Sequence, residues 1–151
     1  MRRHNCGEHP EIRDYGCEPF IFNINHATNM NENFRTTLWT GRDMQLTLMS
    51  IPVCGDIGVE MHQDVDQFIR VESGRATVYM GNCRNDLREI GCVDGSYAIL
   101  IPAGAWHNIV NTGNRPLSSI RSMHRLSIPL AQFIVQRLMR NTMNIEYEKI
   151  T

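Results

Sequence analysis

The sequence predicts an all-β fold in a single domain. Three observations carry that reading: short runs with apolar residues in alternation, Gly- or Pro-bearing turns at near-regular spacing between them, and no helical periodicity before residue 128. A parallel α/β design is disfavoured, because it needs a helix between successive strands.

Taken in order, residues 1–18 are polar, rich in Arg, His, Glu, Asn and Gly, and are expected to form a mobile lead-in. The domain is assigned to residues 19–117. Strands are expected at 20–24, 36–40, 45–51, 57–62, 67–72, 75–80, 97–101 and 107–111. Within the third, Leu46 and Leu48 share one face, and Gln45, Thr47 and Met49 share the other. Ser73-Gly74 reads as a hairpin turn that tolerates positive φ. Pro102-Ala103-Gly104-Ala105 reads as a tight turn that delivers His107 to the next strand. No repeat, low-complexity tract or linker divides the chain.

Composition narrows the function classes. With 151 residues the chain can bury a core without staples. Apolar content is 42% and charged content 21%, ordinary values for a globular protein. Fifteen basic against 16 acidic residues leave a net charge of −1, which gives nucleic acid or an anionic membrane no electrostatic hold. No apolar run approaches the about 20 residues of a spanning helix. The first residues lack a secretory pattern, so a cytoplasmic location is expected. The five cysteines, Cys6, Cys17, Cys54, Cys83 and Cys92, are odd in number and show no ribbon spacing. They are read as reduced thiols, buried or incidental.

Two segments concentrate chemistry. In the first, Gly58 to Gly74, Glu60 and His62 are two apart on a strand and leave the same face. Gln67 follows a polar turn, Gln63–Asp66, from which it can point back at the same spot. In the second, Pro102 to Asn111, His107 opens a strand after the turn. Glu60, His62, Gln67 and His107 together offer two imidazoles and two oxygen donors, a set suited to a divalent cation.

These segments resemble the two motifs of the cupin superfamily. The first family motif runs Gly, five residues, His-x-His, three or four residues, Glu, six residues, Gly. Counting back from Gly74, Gln67 stands where the family has Glu, His62 is the second His, and Glu60 replaces the first; the opening glycine falls on Cys54, with Gly55 beside it. The second motif, Pro-x-Gly-x-x-His-x-x-x-Asn, is met by Pro102, Gly104, His107 and Asn111, with Gly95 one residue too far upstream. The resemblance extends from about residue 20 to 117. It implies a jelly-roll (double-stranded β-helix) barrel holding Mn, Fe, Ni or Zn through Glu60, His62, Gln67 and His107. The carboxylate moves from the usual glutamate position to Glu60, so the ligand set keeps its charge of −1. A small-molecule ligand and a homodimer are also implied.

Other residues read more plainly. Asp64 and Asp66 are expected to be solvated, His4, His9 and His26 to lie on the surface, and Trp106 and Phe68 to fill the barrel or a subunit contact. Tyr79 and Glu72 are the candidates for proton transfer. Arg70 and Tyr97 join Tyr79 as candidates to line a pocket.

Residues 118–151 form an atypical tail in this reading. Codons can be chosen so that the adjacent frame after Leu117 reads Leu-Lys-Leu-Tyr-Ser-Ile-Tyr-Ala-Pro-Pro-Gln-His, the kind of segment the resemblance leads one to expect. The hypothesis is that one base was lost after the Leu117 codon, leaving the barrel short of a late strand with an exposed edge. The alternative is a genuine C-terminal helix, Pro129 to Arg140, docked on a neighbouring subunit. For function, the leading expectation is Lewis-acid chemistry of isomerase or lyase type on a sugar or carboxylic acid. A non-catalytic binding cupin and an iron-dependent dioxygenase are the alternatives.

Overall fold

A computed structural model describes residues 11–124. It contains one short helix, α1 (Ile24–Met30), and eight strands: β1 (Arg35–Thr40), β2 (Met44–Ile51), β3 (Asp66–Ser73), β4 (Arg75–Gly81), β5 (Arg88–Asp94), β6 (Ala98–Ile101), β7 (Trp106–Asn111) and β8 (Leu117–His124). All pairings are antiparallel. A five-stranded sheet in the order β1-β2-β8-β3-β6 packs over a three-stranded sheet in the order β5-β4-β7, as a jelly roll requires.

Alternation explains the packing. Inward residues from both sheets, Ile51, Ile69, Val71, Ala76, Val78, Ile99, Ile101, Ile109 and Leu117, make one core. Each of the Ile, Val and Leu side chains gains roughly 1.5–3 kcal/mol on leaving water. A one-residue slip of any strand would forfeit that gain, which fixes the register. A smaller core, Ala27, Leu38, Leu48 and Ile120, lies with α1 and the Ile12–Ile24 aromatic segment packed on it. There Tyr15, Phe20 and Phe22 stack in series, with ring centroids 4.0 and 5.2 Å apart.

Several expectations need correction. Phe20–Ile24 is not a strand: Asn23 caps α1 by accepting the His26 backbone N–H at 2.9 Å, and Ala27 and Thr28 are buried. Five residues of alternation were too few to separate strand from helix. Residues 11–18, expected to be mobile, are fastened to β1 by Tyr15 N–H to Leu38 O at 2.9 Å and Trp39 Nε1 to Glu18 O at 2.8 Å. Residues 57–62 do not form a regular strand. They run beside β7 through single bridges at Asp56–Val110 and Glu60–His107.

Gly74 does adopt positive φ, at 93°, but β3 and β4 belong to different sheets. The turn therefore carries the chain from one layer to the other instead of closing a hairpin. A Cβ there would stand 2.8 Å from Leu117 Cα and from Pro116 O. Cys54, at the position of the family's opening glycine, also takes positive φ, 61°.

The largest correction concerns Leu117–His124. The barrel is not short of a late strand: β8 sits inside the five-stranded sheet, bonded to β2 on one side and β3 on the other. Its residues, Leu-Ser-Ser-Ile-Arg-Ser-Met-His, lack apolar alternation, yet a ladder bonds through the backbone and two neighbours impose it. The barrel boundary accordingly moves from 117 to at least 124. The 129–140 helix lies outside the described residues, as do Cys6, His4 and His9. The four described cysteines are free and exposed rather than buried.

Candidate functional site

The site forms where the 57–62 segment, β7 and β8 meet between the sheets. Glu60 and His107 exchange both backbone hydrogen bonds, at 3.0 and 2.9 Å, so their side chains are fixed side by side. The turn before β7 is built to place His107. Gly104, at φ 80°, donates its N–H to His62 O at 2.8 Å, and Ala103 N–H is accepted by Asp66 Oδ1 at the same distance. Asp66, expected to be merely solvated, is thus the side chain that clamps the turn.

His107 is completely buried. Its Nδ1 lies 3.1 Å from Ala105 O and must donate, since a carbonyl only accepts. That leaves Nε2 facing Glu60 Oε1 at 3.3 Å. Two acceptors at that distance repel unless a positive centre, a proton or a metal, is shared between them. His62 Nε2 stands 3.7 Å from the same oxygen. Glu60, His62 and His107, which the sequence singled out, are therefore brought together.

Gln67 occupies the inner face of β3 and is 2% exposed, as its assignment to the interior requires. Neither its Oε1 nor its Nε2 has a hydrogen-bond partner. Its place is one inward position along from Ile69, which pairs with Arg121.

Arg121 is the residue that the sequence reading missed. It projects inward from β8, almost wholly buried; its Nη2 donates to His62 Nε2 at 2.7 Å and forms an ion pair with Glu60 Oε1 at 2.8 Å. Its Nε and Nη1 are buried without hydrogen-bond partners. The signal was parity: once 117–124 is a strand, Leu117, Ser119 and Arg121 must share a face. Arg35 adds a looser contact to Glu60 Oε2 at 3.7 Å.

The electrostatics follow from these contacts. Burial pushes the Glu60 carboxyl up, but the adjoining His107 ring and the positive charge of Arg121 outweigh it and hold the group at about 2. Burial and the Arg121 charge push His62 down, consistent with a neutral ring that accepts from the guanidinium. Burial also pushes Arg121 down, against the pull of Glu60.

The proton-transfer candidates lie elsewhere. Glu72 pairs with Arg70 at 2.9 Å, five positions from Gln67 and so on the opposite face of β3. Tyr79 pairs with Asn108, out of phase with inward Met80 and His107. Tyr97 and Phe68 are exposed rather than inside the barrel.

The donor types suit a divalent ion, with buried unpartnered atoms on Gln67 and His107 supporting the fit. Their present spacing does not. Among the described residues no group of three His, Cys, Asp or Glu stands close enough to hold a metal. Arg121 Nη2 stands against both His62 Nε2 and Glu60 Oε1, at 2.7 and 2.8 Å.

The cupin-domain family model matches residues 47–120. This chain is a small cupin-domain protein. Among its relatives, the uncharacterized protein YrkC of Bacillus subtilis (strain 168) is 52% identical over 106 residues. That match covers 70% of this cupin and 57% of YrkC, so the chain spans little more than half the curated relative. The crystal structure of BH2720 from Bacillus halodurans is 49% identical, with 78% of this cupin and 89% of that chain covered at a TM-score of 0.73. A predicted oxalate decarboxylase from Thermotoga maritima shares the fold at 15% identity, covering 61% of this cupin and 79% of its own chain at a TM-score of 0.54.

Proposed function

We propose that this cupin binds one divalent metal ion through Glu60, His62, Gln67 and His107. In this reading it acts on a small polar molecule, a sugar or carboxylic acid, by chemistry of isomerase or lyase type. The observation that carries the reading is His107: a fully buried ring, locked through Nδ1, presents Nε2 to a carboxylate with no hydrogen bond between them. A bound divalent ion would supply Lewis acidity toward substrate oxygens. The chain's own part is to hold geometry: the Glu60–His107 bridge and the Asp66-clamped turn fix two donors before any ligand arrives.

Titration of the purified chain with Zn(II) or Mn(II) tests this. One equivalent should bind, and Glu60→Ala and His107→Ala should each abolish it; binding unaffected by both substitutions would end the proposal. A second reading, ligand binding without turnover, is favoured because Glu72 and Tyr79 both face away from the site. Metal-dependent ligand binding with no reaction on a panel of sugars and keto acids would select it. A homodimer in the cytoplasm belongs to the same proposal, checked by light scattering and by fractionation.

A further inference from the structure

We infer that Arg121 is a built-in competitor for the cation position, so that a divalent ion and its guanidinium exclude each other at Glu60 and His62. The inference rests on the four-ligand reading above and concerns a residue outside that ligand set.

Geometry supplies the first argument. A metal bound to imidazole nitrogen and carboxylate oxygen sits about 2.0–2.2 Å from each. Arg121 Nη2 is already 2.7 Å from His62 Nε2, hydrogen-bonded to it, and 2.8 Å from Glu60 Oε1 in an ion pair. His62 Nε2 has one lone pair, which cannot serve an N–H and a metal together, and a metal within reach of Glu60 Oε1 would stand against the guanidinium.

Charge supplies the second. With neutral imidazoles, and with Arg35 at the rim left to solvent, Glu60 contributes −1 and the buried Arg121 contributes +1, so the buried groups balance. A divalent ion in place of the guanidinium leaves +1; both together leave +2 in a largely buried site, which desolvation forbids.

The third argument is that the guanidinium is held incompletely. Its Nε and Nη1 are buried without hydrogen-bond partners, so leaving the site forfeits few bonds. The strand itself cannot retreat, being bonded on both edges to β2 and β3. Displacement is therefore a side-chain swing. A guanidinium out of the way about one-tenth of the time lowers the apparent metal affinity about tenfold.

Calorimetric titration of the full chain with Zn(II) and with Mn(II) tests the inference on the parent, Arg121→Met and Arg121→Gln. Both variants should bind one equivalent at least about tenfold more tightly than the parent. Equal affinities in all three overturn the inference and leave the four-ligand reading standing. Binding by none of them overturns both. A gain that survives when His107→Ala is added places the metal elsewhere and also overturns the inference. Should either variant not fold, the parent alone decides: saturating Zn(II) should shift the Arg121 Nε–H resonance, and an unmoved resonance rejects displacement.

Discussion

The two strands that supply the site, β7 and β8, solve the burial of polar side chains in opposite ways. On β7, inward positions carry His107, Ile109 and Asn111; Asn111 is fully bonded, and His107 is fixed through Nδ1 with Nε2 left to the site. Asn111 donates to Ile51 O, Pro52 O and Arg115 O at 2.9–3.1 Å and accepts the Gly113 N–H at 2.9 Å. His107 is locked by Ala105 O. On β8, Ser118, Ser119, Arg121 and Ser122 are all buried, and the guanidinium leaves two nitrogens unmet. A buried polar group is stabilising when bonded and costly when not. The β7 side is thus a rigid scaffold, and the β8 side is where occupancy can change.

Breaking the β7 network should have the largest effect. Asn111→Ala strips partners from several buried carbonyls at once and should cost about 3 kcal/mol in urea unfolding. A loss below about 1 kcal/mol would show that β7 is no better secured than β8. Gly74→Ala probes the start of β8. With φ at 93° and Leu117 Cα 2.8 Å from the new methyl, it should cost about 2 kcal/mol, measured the same way.

A smaller effect sharpens the comparison on the β8 side. At saturating Zn(II), the metal-induced gain in stability of Arg121→Met should exceed that of the parent by about 1.4 kcal/mol, the equivalent of tenfold in affinity. Equal thermal shifts would mean that β8 does not govern occupancy. The smallest effect belongs to the outward face of β3: Phe68→Ser, at a position 37% exposed, should stay within about 0.5 kcal/mol of the parent.

The polarity of β8 also bears on the proposal that residues after Leu117 are read in a displaced frame. A strand never selected for this barrel would bury serines and an arginine where its neighbours bury Ile, Val and Leu. Genomic DNA decides the matter, since codons incompatible with the second frame reject it.

Much of the fold was legible because alternation and turn residues are local signals. Six of the eight strands follow from runs such as Gln45–Ile51 and His107–Asn111, and His62 and His107 follow from the resemblance of their segments to the two cupin motifs. α1 escaped because a cap and one turn of helix look like a short strand until something packs on them. Glu72 and Tyr79 were misplaced because an exposed and an inward face differ by one residue of register. By itself the sequence determined an all-β sandwich or barrel, since hydrophobic period and turn chemistry are written residue by residue, and its resemblance to the cupin motifs singled out Glu60, His62 and His107. Only the tertiary structure decided that β8 enters the sheet and that Arg121 reaches Glu60 and His62, because backbone ladders accept any side chain and long-range pairing chooses which one faces the site.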